Sequence, residues 1–173
     1  MKSTVIAITL TLFSSTALIG YSSTSFAEAC YSAGGTVTTE NVTPTLQMGD
    51  ISLTLTNTDD GTVFSETGSL VGNITGTDGI GSTLLSHKAR FPQGDSFLTK
   101  DDKADLVYPY VRSTLEDGTP CSFWIHETIS NIAKGTRFFK NVTSVEVFAD
   151  GYISNCPGEN ENYFELSGEL CLE

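Results

Sequence analysis

The sequence is poor in basic residues. Its 173 residues include 9 Lys and Arg against 21 Asp and Glu, and only 2 His. A surface with this excess of negative charge repels phosphate backbones and anionic lipid headgroups, so the composition argues against nucleic-acid binding and peripheral membrane binding. The acidic residues are spread along the chain and form no tail, which is typical of a solvated surface. The composition does not determine an oligomeric state.

The sequence also lacks an apolar run long enough to span a membrane. The run from Val5 to Ile19 is interrupted by Thr and Ser, and it is shorter than the roughly 20 residues that a spanning helix needs. It follows Lys2 and precedes Ser25-Phe26-Ala27, which has small residues at the two positions that a signal peptidase recognises. These features predict a secretory signal peptide over residues 1–27, cleaved before Glu28, with no membrane insertion afterwards.

No two of the four cysteines lie close together in the sequence. Cys30, Cys121, Cys156 and Cys171 are at least 15 residues apart, so the Cys-x-x-Cys pairs of a zinc site are missing. An even number of widely spaced cysteines after the signal predicts two disulfide bonds formed in an oxidising compartment, the periplasm or the extracellular space. Three pairings are possible, and the spacing alone does not choose among them.

We expect the pairs Cys30–Cys171 and Cys121–Cys156. The first pair would join the two ends of the exported chain, which otherwise fray. The second depends on register: if the strand from Cys121 pairs with Ser144–Asn155, Cys121 falls opposite Asp150-Gly151, and a bulge or diagonal approach brings Cys156 within reach. A local Cys156–Cys171 pair is the main alternative.

Helical periodicity is scarce, and the exported part alternates with period two between turns. Ile51–Thr56 has three apolar side chains on one face and hydroxyls on the other, and Asn57–Gly61 ends it with hairpin-turn residues. Nine or ten such runs predict an all-β fold. We expect one domain over residues 28–173, a single antiparallel β-barrel of about eight to ten strands, with a β-sandwich as the alternative. The interior is predicted to include Leu53, Leu55, Leu85, Phe123, Ile125, Phe164, Leu166 and Leu170.

Three segments interrupt the alternation. Ser130–Lys134 is the one stretch that could form a helical turn. Lys100–Lys103 carries four charges in a row and predicts an exposed bend. Pro109 falls inside the extended run Leu106–Leu115, which indicates a sheet edge or a bulge, because Pro cannot donate a ladder hydrogen bond. We expect Tyr108-Pro109-Tyr110 to be exposed enough to contact a partner.

The two histidines are the candidates for chemistry. His87 lies in the alternating run Ser82–Phe91, and His126 shares a face of Cys121–Ile129 with Trp124. Trp124, His126 and His87 are therefore the candidate residues of a ligand pocket, in which a histidine would hydrogen-bond the ligand or transfer a proton. A single strand histidine is more often a packed, hydrogen-bonded residue.

No nucleophile or metal motif is present. The sequence has no Gly-x-Ser-x-Gly, and two disulfides would leave no free thiol. His126-Glu127 does not begin a zinc-protease motif, because Ser130 stands where the second His is needed. Asp101, Asp102 and Asp105 are close enough in sequence to suggest calcium, but turn formation explains them. We predict no metal and no cofactor.

The segment 132–144 resembles a motif of small barrels related to allene oxide cyclase and dirigent proteins. Their Gly-Thr-Gly-x-Phe-x-x-Ala-x-Gly is matched at Gly135, Thr136 and Phe139. The chain departs from it at Arg137, Val142 and Ser144, so the two later glycines are missing. The resemblance implies an eight-stranded antiparallel barrel with a hydrophobic cavity open at one end, and it assigns no catalytic residue.

The first functional hypothesis is an exported, non-catalytic barrel that binds a small apolar ligand or has a structural role. An adhesin or pilus-type β-sandwich acting through protein contacts is the second. It is disfavoured because Glu28–Thr45 has too few large apolar residues for a donor strand. The third is a barrel enzyme acting on an apolar substrate, with His126 or His87 transferring the proton. A closed barrel with a cavity would favour the first or third hypothesis, and two open sheets the second.

Overall fold

The computed structural model describes residues 28–173, so the predicted signal peptide over residues 1–27 lies outside the described residues. Within them, ten strands form one antiparallel sheet. The strands are β1 Ala29–Thr43, β2 Leu46–Asn57, β3 Val63–Thr77, β4 Thr83–Arg90, β5 Ser96–Thr99, β6 Asp102–Thr114, β7 Pro120–Ile129, β8 Ile132–Thr136, β9 Val142–Ser154 and β10 Glu161–Leu172. A short 3-10 helix, Arg137–Phe139, joins β8 to β9. No helix in this part of the chain is long and apolar enough to cross a membrane.

The sheet closes into a barrel. Consecutive strands pair from β1 to β4, β4 pairs with both β5 and β6, and these two pair on their other side with β8 and β7. β5 and β6 are therefore two halves of one barrel strand, and β7 and β8 are halves of the next. β9 follows β7, and β10 pairs with both β9 and β1. The predicted antiparallel barrel is confirmed as an eight-stranded ring, a size whose interior is filled by side chains or holds one small ligand.

A β-bulge at Lys100-Asp101 separates β5 from β6. The register against β4 shifts by one residue across it. Because strand side chains alternate, one additional residue reverses the facing of those that follow. Thr99 and Asp102 are consequently both buried, while Lys100 and Asp101 are exposed. The predicted exposed bend is therefore wrong for Asp102.

The apolar core lies inside the ring. The predicted interior residues Leu53, Leu55, Leu85, Ile125, Phe164, Leu166 and Leu170 are buried, and Phe123 is half-buried. One end of the barrel is closed by aromatic rings around Phe139, which is 1 % exposed. The ring centroids of Phe91, Phe97 and Phe138 lie 5.0 to 5.9 Å from that of Phe139. The helical turn expected over Ser130–Lys134 is wrong, because 132–136 pair with β5 and the helix begins at Arg137.

The first disulfide closes the seam of the barrel. Cys30 and Cys171 face each other in the β1–β10 ladder, with 4.1 Å between their Cα atoms. They join residues 141 apart, and a loop of that length corresponds to about 5 kcal/mol of unfolded-state entropy in the chain-entropy model. The bond therefore holds together the two terminal strands, whose pairing completes the ring.

The second disulfide joins Cys121 to Cys156 at the other end of the barrel. The backbone N–H of Asn155 donates to the Cys121 carbonyl at 2.8 Å. Cys121 therefore lies opposite Asn155, and the expected position opposite Asp150-Gly151 is wrong. In this register Cys156 lies diagonally from Cys121, so of the two expected routes to the bond, a bulge or a diagonal approach, the structure has the diagonal approach. Two disulfides in an acidic all-β fold are the features of a protein that folds in an oxidising compartment.

Candidate functional site

The barrel lumen contains an apolar cavity of about 70 Å³. Aliphatic side chains form most of its wall, among them Val37, Ile51, Leu55, Val147, Leu166 and Leu170. The polar part of the wall consists of Thr39, Gln47, His87, Thr99 and Glu127. Since about 10–15 Å³ by this measure holds one water molecule, the cavity has room for several water-sized groups.

A second cavity, of about 300 Å³, adjoins the first toward the end of the barrel that the aromatic rings leave open. Gln47, Glu127 and Phe164 line both cavities. The second cavity extends to Gly81 and Leu106, which are exposed. Glu127 can therefore be reached from the barrel end as well as from the apolar cavity.

His87, Asp102 and Glu127 form a buried cluster in the wall of the lumen, contributed by β4, β6 and β7. His87 Nδ1 lies 2.9 Å from Asp102 Oδ2, in hydrogen-bonding geometry, and 3.2 Å from Glu127 Oε1. The Thr99 hydroxyl donates to Asp102 Oδ2 and accepts the backbone N–H of His87 at 2.8 Å. Strand alternation turns His87 and Glu127 inward, and the bulge turns Asp102 inward beside them.

Gly72 makes room for the imidazole of His87. The two residues are partners in the β3–β4 ladder, and a Cβ on residue 72 would lie 2.9 Å from His87 Nε2. Real Cβ atoms do not approach other atoms so closely, so a side chain at this position would displace the ring. The absence of a side chain at Gly72 is thus part of the site.

The hydrogen bonds of the cluster are incomplete. Nδ1 of His87 carries at most one hydrogen, and the geometry directs it to Asp102. Within residues 28–173, neither Glu127 Oε1 nor Asp102 Oδ1 has a hydrogen-bond partner, although both atoms are buried. Buried polar atoms without partners are uncommon, because each costs roughly 1–3 kcal/mol or more when charged. These two oxygens are therefore the atoms of the cluster with capacity for a further hydrogen bond or a cation.

Burial and the neighbouring negative charges shift the pKa of His87 in opposite directions. Burial alone would lower its pKa, but the negative charges of Glu127 and Asp102 raise the pKa above the ordinary value. Burial raises the pKa of Glu127; the charge of His87 lowers it, and that of Asp102 raises it further. The raised pKa of Glu127 works against the raised pKa of His87, because a protonated Glu127 carries no charge and no longer stabilises the imidazolium. Asp102 is therefore the main partner of His87, because it makes the hydrogen bond to the imidazole.

The structure divides the three residues expected to share a pocket. His87 lines the lumen, whereas Trp124 and His126 lie on the outer face of β7, alternating with the buried Ile125 and Glu127. Trp124 is 38 % exposed. The barrel wall thus separates His87 from the other two residues.

Sequence reasoning missed the two carboxylates that accompany His87. Glu127 shares a face with Phe123 and Ile125, so a charged residue on the apolar side of β7 was the available signal. The inward facing of Asp102 could not be predicted from alternation, because it depends on the bulge at Lys100-Asp101.

The outer face of the barrel carries an aromatic groove of about 530 Å³, lined mainly by Tyr108, Trp124, Tyr152 and Tyr163. Tyr108 is 81 % exposed. The segment Tyr108-Pro109-Tyr110 bulges out of the β6–β7 ladder, where the register shifts. The predicted bulge and exposure of this segment are therefore confirmed.

In comparisons with known proteins, no family model, no curated protein and no solved structure matches this chain. The resemblance of segment 132–144 to the allene oxide cyclase and dirigent barrels stays a prediction.

Proposed function

We propose that this chain is an exported binding protein that takes a small, mostly apolar ligand into the barrel lumen. The apolar cavity with one polar wall is the observation that supports it, because ligand sites are typically apolar concavities with a few placed polar groups. Burial of ligand surface against the aliphatic wall contributes about 25 cal/mol per Å². One polar group of the ligand would face Glu127 and His87, which fixes its orientation.

The proposed compartment is the periplasm or the extracellular space, reached through the signal peptide over residues 1–27. The two disulfides support an oxidising compartment. N-terminal sequencing of protein recovered from the host's periplasm or medium tests the proposal, and a chain that begins at Glu28 is expected. An intact Met1 would contradict it.

Binding can be tested with the neutral apolar dye N-phenyl-1-naphthylamine, whose fluorescence rises in an apolar site and whose ring systems would occupy the adjoining cavity of about 300 Å³ as well as the apolar one. Ala33 lines the lumen, and its neighbour Ser32 is exposed on the outside of the same strand. We expect saturable binding by the wild type, at least tenfold weaker binding by Ala33→Leu, and unchanged binding by Ser32→Leu. Equal loss in both variants, or a signal that does not saturate, would contradict a lumenal site.

A second candidate function is a barrel enzyme that moves a proton on the same ligand. The hydrogen bond between His87 and Asp102 beside an apolar cavity favours it, because a carboxylate orients and charges a histidine for acid–base chemistry. Only His87 qualifies, since His126 lies outside the lumen. NMR spectroscopy of a bound compound before and after incubation separates the candidates, because a proton shift changes the spectrum but not the mass. The wild-type enzyme would convert the compound and the His87→Asn variant would not, whereas a binding protein leaves it unchanged.

A pilus-type sandwich is not supported by the structure. Donor-strand exchange needs an open sheet edge. In residues 28–173, β1 and β10 pair with each other over their length and leave no such edge between the terminal strands.

A further inference from the structure

We propose that His87, Asp102 and Glu127 bind a divalent transition-metal ion, with Zn²⁺ as the ion that best suits the donors. One imidazole nitrogen and two carboxylate oxygens are ordinary zinc ligands, and sites with three protein ligands keep a position open for water or a ligand. This inference goes beyond the proposed apolar-ligand site and does not depend on it. No spacing in the sequence predicts this site, because the three residues come from three different strands.

The positions of the donor atoms fit one ion. Each donor lies about 2.0–2.2 Å from a bound zinc, so two donors at tetrahedral or octahedral angles are roughly 3.0–3.4 Å apart. His87 Nδ1 lies 2.9 Å from Asp102 Oδ2 and 3.2 Å from Glu127 Oε1. The three residues offer donor atoms that all lie within 4.8 Å of one another. A small movement of the carboxylates would complete the coordination.

The unsatisfied oxygens are a second, independent observation. Asp102 is fully buried and Glu127 is 5 % exposed, yet each has a buried oxygen without a hydrogen-bond partner among the described residues. A metal ion beside His87 Nδ1 would be the missing partner of Glu127 Oε1, and a carboxylate of Asp102 that binds through both oxygens would bring Oδ1 to the same ion. An organic ligand would not serve Asp102 equally well, because Asp102 lines neither of the two lumenal cavities.

Charge balance favours a divalent ion. Two carboxylates and a neutral imidazole carry two negative charges, which a 2+ ion neutralises. With both carboxylates ionised, a protonated imidazole supplies only one positive charge, so the cluster would either keep one uncompensated negative charge in an apolar wall or hold Glu127 in its protonated form. Such a charge is costly in a medium of low dielectric constant.

The surroundings of the cluster also suit a metal. The Thr99 hydroxyl donates a hydrogen bond to the Asp102 carboxylate, and hydrogen bonds of this kind orient the ligands in metal sites. Glu127 borders the cavity of about 300 Å³ that extends to the exposed Gly81 and Leu106, which provides an entry path. The same cavity leaves space on the open side of the ion.

The chain offers a matched control on its outer face. His126 Nδ1 lies 2.6 Å from Asp150 Oδ1, so it is also a His–Asp pair, but both side chains are exposed to solvent. Another group with suitable atoms, Cys30, Glu169 and Cys171, is not comparable because its two thiols form a disulfide. A variant of His126 therefore removes a histidine without touching the proposed site.

The experiment uses the mature, disulfide-bonded protein without a histidine tag, stripped with a chelator and titrated with Zn²⁺ by isothermal titration calorimetry. We expect one Zn²⁺ per chain, with a raised Tm in the presence of the ion. Glu127→Gln and His87→Asn should weaken binding at least 100-fold. Thr99→Val should weaken it roughly 10- to 100-fold, because the Thr99 hydroxyl orients the Asp102 carboxylate without binding the ion itself. His126→Asn should bind like the wild type. Circular dichroism establishes that each variant is folded, and Glu127→Gln carries the test if His87→Asn does not fold.

Three results would overturn the proposal. The first is the absence of stoichiometric Zn²⁺ binding by the folded wild type at about 100 μM Zn²⁺, which is 100 times a Kd of about 1 μM. The second is a loss of binding in His126→Asn that equals or exceeds the loss in Glu127→Gln. Binding of Ca²⁺ in preference to Zn²⁺ would also contradict it, because an imidazole donor disfavours calcium. Failure of Zn²⁺ binding leaves the dye-binding test of the lumen unaffected.

Discussion

The protein contains two His–Asp pairs, one on each side of the barrel wall. The outer pair, His126 with Asp150, is the shorter at 2.6 Å, but its side chains are 36 % and 60 % exposed. The inner pair, His87 with Asp102, measures 2.9 Å with side chains 11 % and 0 % exposed. Water solvates and screens the outer charges, whereas the inner charges depend on each other. We therefore expect burial, more than distance, to determine how strongly the fold depends on each ion pair.

Removing one partner from each pair gives the largest expected effect. Asp102→Ala leaves His87 buried beside a single carboxylate and a new cavity, so we expect a loss of about 3–5 kcal/mol in the free energy of unfolding. Asp150→Ala should cost less than about 1 kcal/mol, because exposed pairs contribute little. Urea unfolding at pH 7 measures both. If the two losses in the free energy of unfolding agree within about 0.5 kcal/mol, the buried pair contributes no more to stability than the exposed pair, and the prediction is wrong.

Apolar residues sharpen the same inside–outside comparison. Leu166 points into the lumen and is 8 % exposed, while the neighbouring Ser167 is exposed. Leu166→Ala should lower the free energy of unfolding by about 2–5 kcal/mol through lost burial and a cavity. The loss for Phe123→Ala should lie near the lower end of this range, because Phe123 is only half-buried. Ser167→Ala should stay within about 0.5 kcal/mol, and a larger loss there than at Leu166 would show that the assigned facing is wrong.

Glycine positions test how tightly the inner pair is packed. A Cβ at Gly72 would meet the His87 ring, whereas a Cβ at Gly34 would meet nothing within 4 Å. We expect Gly72→Ala to cost about 1–3 kcal/mol, as overpacking does. Gly34→Ala should be neutral or stabilise by about 0.4–1 kcal/mol, because it restricts the unfolded chain. Thermal unfolding of the two variants compares them directly, and equal Tm values would refute the close contact at Gly72.

The strands with strict alternation were predictable from the sequence. Ile51–Thr56 lies within β2, and the facing assigned to the run from Cys121 is the one in β7. β1 was not predicted, because its Ala, Ser, Gly and Thr residues give little contrast between faces. Its strand conformation comes from pairing on both sides, with β2 and with β10. Tertiary contacts thus supplied what local propensity did not.

The site was predictable only in part. His87 could be placed on an inward face, but its partners depend on a bulge and on register. A phase change was present in the sequence: the inward residues are Phe97 and Thr99 before the bulge, and Asp102 and Ala104 after it. A switch from odd to even positions within one strand indicates an inserted residue. Recognising it requires knowing that β5 and β6 belong to one strand, and that follows from their shared partner β4.

The smallest expected effect concerns carboxylates on the outer turns, which contrast with the buried ones. Asp60 and Asp117 each begin an Asp-Gly-Thr turn and accept the backbone N–H of Thr62 at 2.8 Å and of Thr119 at 2.9 Å. These hydrogen bonds lower the pKa of both aspartates below the ordinary value of 3.8. A lowered pKa in the folded state means that the charged form stabilises the fold above pH 3.8, and that this contribution is lost as the pH falls through the folded pKa. Asn at both positions keeps an acceptor oxygen but does not titrate, so Asp60→Asn/Asp117→Asn should flatten the acid limb of the stability curve. Urea unfolding at pH values from 7 downward measures that slope, with each single variant as an intermediate control. Parallel curves for the double variant and the wild type would show that the turn aspartates do not contribute to acid sensitivity.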